Sequence, residues 1–232
     1  MATVHVPGIP SFGVFGHVTA KTRFNLALHH LFSACKAASR VRASETANAG
    51  QPFGEFWEDI LHDSLTVAAL TVACLESYAN EFYFEGSALA RDLPPNAADL
   101  VASIVDRENV LSKYDVAVAI RTGKRLDLGR PHVQNADALI KLRNALLHFR
   151  PEWFGEQDKH KSLSKLLAYK FDPSPFLTGE GLFPRAWASA SFSEWAVRST
   201  IAFLDQFCSD ADLTNPTLQF MDRIRRHSGI AL

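Results

Sequence analysis

Twelve consecutive residues, Ser64 to Leu75 (SLTVAALTVACL), carry no charged side chain, and they lie within a longer stretch, about Phe53 to Phe84, whose apolar residues recur with helical spacing. A helix that is apolar on nearly every side belongs in the middle of a fold. The chain is therefore expected to build a bundle around this segment. Glu76 interrupts it, and Asn80 follows one turn later on the same face. A carboxylate in that setting is costly to bury alone, so Glu76 calls for a cationic or hydrogen-bonding partner unless it simply turns to water.

The remaining segments also read as helices. Phe24, Leu28, Leu31, Phe32 and Cys35 recur at steps of three and four within a helix expected over about His17 to Thr46, and Asn48 to Pro52 makes a turn. Pro94-Pro95 breaks the chain, with Asn96 as the expected N-cap of a helix through Val101, Ile104 and Val105. Another helix carries Leu111, Tyr114, Val118 and Ile120. A loop at Gly123 to Pro131 leads to a helix from about Val133 to Phe149, which Pro151 ends, leaving His148 in the last turn. After a loop-rich excursion over 151–190, with a short amphipathic helix at Lys159 to Tyr169, a strong helix runs from about Ser191 to Cys208. It turns Phe192, Ala196, Thr200, Phe203, Leu204 and Phe207 inward. Asn215-Pro216 opens a short terminal helix. No segment reads as a strand. The fold class is all-α: an irregular arm over 1–16, an up-and-down helical bundle with additional short helices over 17–210, and a short C-terminal helix in 211–232.

With 232 residues, 47% of them hydrophobic, the chain buries a core without disulfides or structural metal. Cys35, Cys74 and Cys208 each sit alone in an apolar helical pattern and are expected to be buried thiols of a reducing compartment. No basic-then-apolar leader opens the chain, which points to a cytoplasmic location. Residues 1–20 lack acids, Lys and Arg, yet prolines and glycines break them, so no membrane span is expected there. A net charge of −1 argues against a dedicated nucleic-acid binder, but it hides an asymmetry. Residues 51–100 hold nine acids and one base, net −8, whereas residues 121–150 hold seven bases and two acids, net +5. The basic block either presents a local surface for anions or pairs with an acidic helix face. The loop GKRLDLGRP (123–131) lacks phosphate-loop spacing and receives no phosphate-cradling role.

One grouping looks like chemistry. In LIKLRNALLHFRP (139–151), Arg143, Asn144 and His148 stand in an otherwise apolar helical segment. Arg143 shares a helical stripe with Ala136, Leu139, Ile140, Leu146 and Leu147, and so is expected on the core-facing side. Asn144 and His148, four apart, share a face. From Arg143 to His148 the turn is about 140° and the rise about 7.5 Å, a gap that a long guanidinium can bridge.

Arg-Asn-x-x-x-His late in an apolar helix resembles the Rx4–6H motif of the HEPN superfamily (higher eukaryotes and prokaryotes nucleotide-binding), in which a polar residue usually follows the arginine directly. The upstream apolar helix with Glu76 and Asn80, the proline that ends the motif helix and the Trp/Phe-rich SEWAVRSTIAFLDQF (193–207) agree with that resemblance, which covers residues 17–210. It implies a helical bundle that often dimerises with its two motif helices facing each other. Many members are metal-independent endoribonucleases that act as toxins or defence factors; others serve as interaction or nucleotide-binding modules without turnover. By this resemblance Arg143 would stabilise the scissile phosphate, His148 would be the acid/base and Asn144 would orient either one, while Glu76 enters from burial as a partner for Arg143.

Cleaving RNA through its own 2′-hydroxyl needs a base, an acid for the leaving oxygen and positive charge on the phosphorane. A single histidine cannot be base and acid at once, so the mechanism asks for a symmetric dimer that supplies a second copy. It needs no cofactor and no metal. The expected partners are a second copy of the chain, RNA, and an antitoxin or regulatory protein. Two plainer readings stand beside it. In one, Arg143 merely bridges Glu76 while Asn144 and His148 cap a helix end; in the other, the motif belongs to a non-catalytic HEPN-like module. His29, His30 and His62 lack any metal-site spacing.

Overall fold

The computed structural model describes residues 24–83, 89, 93–153, 158–215 and 217–228. The expected arm at 1–16 and residues 17–23 of the expected first helix lie outside the described residues; residues 24–26, also expected in that helix, are not helical. Within them the chain is all-α, with no strand: α1 (Ala27–Ala47), α2 (Phe56–Phe82), α3 (Pro95–Val105), α4 (Val110–Thr122), α5 (Pro131–Leu147), α6 (Asp158–Leu167), α7 (Ala190–Asp210) and α8 (Met221–Ser228). A short helical turn, Leu182–Ala186, precedes α7, and a 3-10 turn, Leu218–Phe220, leads into α8.

α1 and α2 form a hairpin. Arg40 forks onto Asp63 and the Ala27 N–H donates to Glu81 Oε1 at 3.4 Å, so early residues of one helix meet late residues of the other. α1 buries Ala34, Cys35, Ala37 and Ala38, side chains small enough to let α2 approach closely. α2 in turn packs on α4, α5 and α7 as well, which makes it the central helix. An aromatic cluster joins three of these elements. Tyr114 is fully buried, donates its hydroxyl hydrogen bond to the Leu75 carbonyl at 2.8 Å and meets Phe203 and Phe207 edge-on. Such ring pairs add about 0.5–1.5 kcal/mol each beyond their buried area.

The first turn of α7 is held twice. Ser189 accepts from the Phe192 N–H as the N-cap, and Glu45, from the last turn of α1, accepts from the Ala190 N–H at 2.8 Å. Burial pushes the Glu45 carboxyl up. All six residues expected to face inward from α7 are buried, and the three cysteines are buried free thiols. The 151–190 excursion is fastened to the bundle where it is described, with Phe171 against Phe192 and Trp195, Trp187 against Phe192, and Phe176 against Phe56.

Several expectations need correction. Phe24 precedes α1 and is 74% exposed, so it is not part of the inward stripe. The N-cap of α3 is Pro94, not Asn96, because Pro95, with its fixed φ and no N–H to satisfy, takes the first helical position. On α5 the core face runs through Val133, Ala136, Leu139 and Leu142; Leu147, turned about 140° from Leu142, is 61% exposed and does not face the core. α2 is not enclosed all round. Its neighbours leave a strip of Leu65, Thr66, Ala69, Leu70 and Ala73 only partly covered. α2 is also long and apolar enough to cross a membrane by length and composition, a test that the core helix of a bundle passes as well.

Candidate functional site

α5 starts at Pro131 and stops at Leu147, with His148 as its C-cap, just past the helix and not within its last turn. The His148 N–H donates to the Asn144 carbonyl at 3.0 Å, and Pro151 keeps the helix from continuing. The motif residues thus occupy the final turn and a half of a helix whose other residues are fixed by packing on α2 and α7.

Arg143 stands at the margin of the core face, its side chain 16% exposed, and pairs with Glu76 of α2, whose side chain is 42% exposed. One turn along α2, Asn80 Oδ1 accepts from Lys113 Nζ of α4 at 2.8 Å. Lys113 is nearly buried. Glu76, Asn80, Lys113, Arg143 and Asn144 line one cleft of about 310 Å³ at the junction of α2, α4 and α5. Glu108 lines it as well, so two cations meet two carboxylates there and the formal charges of the cleft balance. Lys113 escaped the reading of the sequence because it lies in a mixed stretch, Ser112-Lys113-Tyr114-Asp115, where the only hint is its place one helical turn after Val110 on a buried face.

Asn144 and His148 are exposed, and neither side chain has a hydrogen-bond partner among the described residues. Arg143 and His148 open into different spaces. Beyond Glu76, Arg143 borders an apolar groove of about 450 Å³ formed by Leu65, Ala68, Ala69, Leu146 and Leu147. His148 lines a cavity of about 510 Å³ on the other side of the helix end, with Lys141, Phe149 and Arg150. Arg143 does not bridge toward His148, as its length would allow: it turns to the Glu76 carboxylate.

No family model, curated protein or solved structure matches the chain.

The other basic residues of the 121–150 block are divided between several elements. Arg121 donates to the Ala211 and Asp212 carbonyls, Arg125 forks onto Asp115, and Arg130 reaches Asp210. Arg143 meets the acidic 51–100 segment at Glu76 while these three arginines bond to other elements, so the block is neither one open surface nor one paired face. What remains near the motif is Lys141, bonded to Asp137, and Arg150, which has no carboxylate partner among the described residues. The described residues contain no group of three or more His, Cys, Asp or Glu able to hold a metal ion. The arrangement sets two partnered cations, Arg143 and Lys113, in one cleft and an exposed imidazole, His148, able to carry a proton, in another space of the same chain.

Proposed function

We propose that the chain is a HEPN-like, metal-independent endoribonuclease whose active site is composed at the interface of two copies. The observation that carries this reading is that the polar side chains of Asn144 and His148 serve no structural purpose among the described residues: both are exposed and unbonded at a helix end. A capping role would engage them. Arg143, by contrast, is held ready by Glu76, with a second cation, Lys113, in the same cleft.

Within one copy the phosphate-binding arginine and the proton-transferring histidine face different spaces. A two-fold axis beside α5 would bring the arginine of one copy toward the histidine of the other and supply two histidines, one as base and one as acid. The uncovered apolar groove next to Arg143 gives such a pairing something to bury. Glu76 then positions the guanidinium, and Asn144, on the exposed face between them, orients substrate or histidine.

In EDTA, a homogeneous preparation is expected to cleave single-stranded RNA and to have the mass of two copies. His148→Ala and Arg143→Ala are each expected to slow cleavage by about 100-fold or more. Cleavage that survives both changes would place the activity elsewhere. The second reading, a module that contacts nucleotides without turnover, is favoured by the engagement of Arg143 with Glu76 and by the net charge of −1. RNA binding without cleavage by the unaltered dimer would decide for it.

A further inference from the structure

The cavity beside His148 is built differently from the clefts around Arg143. Its deepest polar group is His160, whose side chain is 8% exposed. His160 Nε2 lies 3.3 Å from the Arg150 carbonyl, which can only accept, so Nε2 is the donor. Nδ1 is buried and has no hydrogen-bond partner. Glu152 Oε2 lies 3.8 Å from it, beyond hydrogen-bond reach, on a side chain that is 15% exposed, and accepts from the His160 backbone N–H at 3.3 Å. In the neutral ring Nδ1 offers a lone pair, and the carboxylate offers only acceptors. Two acceptors thus lie side by side at the cavity, Nδ1 without a donor and the carboxylate with lone pairs beyond the one that accepts the His160 backbone N–H, and a ligand N–H group would serve them.

The walls of that space are flat and apolar. Phe149 stacks on His160, with centroids 5.6 Å apart and planes 23° apart, and is itself 46% exposed; Phe183 meets His160 edge-on at 5.1 Å. At the rim stand His148 and the exposed cations Lys141 and Arg150. A volume of about 510 Å³ falls in the roughly 300–1,000 Å³ range of small-molecule sites.

We infer that this cavity is a nucleobase pocket that selects a donor-edged base, guanine above all, with the phosphate of the same nucleotide at the Lys141–Arg150 rim. Guanine carries N1–H and the 2-amino group side by side, which match the acceptors Glu152 and His160 Nδ1, while Phe149 supplies the stacking face. Uracil has a single N–H between two carbonyls, and these would face the carboxylate. A free mononucleotide and a residue of an RNA chain share this chemistry. In RNA the pocket would seat a base next to the bond that His148 acts on, an extension that rests on the nuclease reading; the pocket itself does not.

Calorimetric titration of the full chain with GMP and UMP tests this. GMP should bind more tightly than UMP by about tenfold. Glu152→Gln should weaken GMP by about tenfold and barely change UMP, and Phe149→Ala should weaken both, with circular-dichroism melts showing that each variant is folded. Arg143→Ala, which does not line the cavity, should leave GMP binding intact while removing RNA cleavage. Equal affinity for the two nucleotides, absence of binding at millimolar concentration, or binding indifferent to Glu152→Gln and Phe149→Ala would each overturn the pocket. If GMP binds as expected and the chain cuts no RNA, the pocket stands and the nuclease reading falls; cleavage dependent on His148 and Arg143 without GMP binding gives the reverse. Cleavage next to guanosine would identify the RNA chain as the source of the base, and uniform cleavage with tight GMP binding would identify the free nucleotide.

Discussion

Asp115 shows how one carboxylate fixes a loop. Its Oδ1 accepts the Leu126 N–H at 2.8 Å, and Arg125 forks onto both oxygens, so the turn after α4 is tied back to α4 itself. The Arg125 hydrogen bond, above all, holds its carboxyl below the ordinary value of 3.8. A carboxylate with a depressed folded-state pKa contributes stability that is present above its unfolded value and is lost as pH falls through the folded value. Asp115→Asn should therefore lower the melting temperature at neutral pH, and the gap between variant and parent should close as pH drops below about 3.8. Thermal melts of both chains across that range check it; a gap that stays constant would mean that the carboxylate's charge is irrelevant. Among single residues, the Glu76–Arg143 pair was legible because each is the odd polar group in an apolar helix, and a buried charge must find its opposite. Lys113, Glu152 and His160 were not, since each gains its meaning from a neighbour 8 to 33 positions away that no local pattern marks.

Among the elements, α2 carries the most consequence. Its open strip, with Leu65 and Ala69, continues across Leu146 and Leu147 of α5 into a single apolar groove. If a second copy covers that groove, a charge in its floor should keep the copies apart without disturbing either one. Ala69→Arg is expected to reduce the mass in solution from two copies to one, with an unchanged helical signature, and to reduce RNA cleavage along with it; sedimentation or light scattering reads the mass. A dimer that persists would place the contact elsewhere. Helix existence was readable from apolar spacing throughout, because the 3.6-residue period survives any tertiary arrangement. The openness of α2 was not. Twelve uncharged residues say that a helix can be buried on every side, but how many neighbours reach it is decided by the lengths and angles of those neighbours. Helix ends misread by a few residues, such as α3 and α5, fall where proline fixes the backbone and competes with the capping residues.

For the whole molecule, the buried thiols report on the bundle as a unit. Burial pushes the Cys35 thiol up to about 12 and raises those of Cys74 and Cys208 as well. Cys35, Cys74 and Cys208 lie on α1, α2 and α7, so any opening that exposes all three separates the core. A thiol reagent at about pH 8 should leave the native chain unmodified and should label the three cysteines together as denaturant unfolds it. Fast labelling of one alone would mean that its helix opens independently. The double hold on the first turn of α7 carries a further consequence, which concerns the order of synthesis. Glu45 leaves the ribosome long before Ala190, its partner. At about 5–20 residues per second, the α1–α2 hairpin waits on the order of ten seconds before α7 is complete. During that interval the most apolar helix of the chain has only α1 and the early parts of the bundle to shield it. The nascent protein is then most exposed to aggregation, and a holding factor that protects it would rest on the faces of α2 that α7 later occupies.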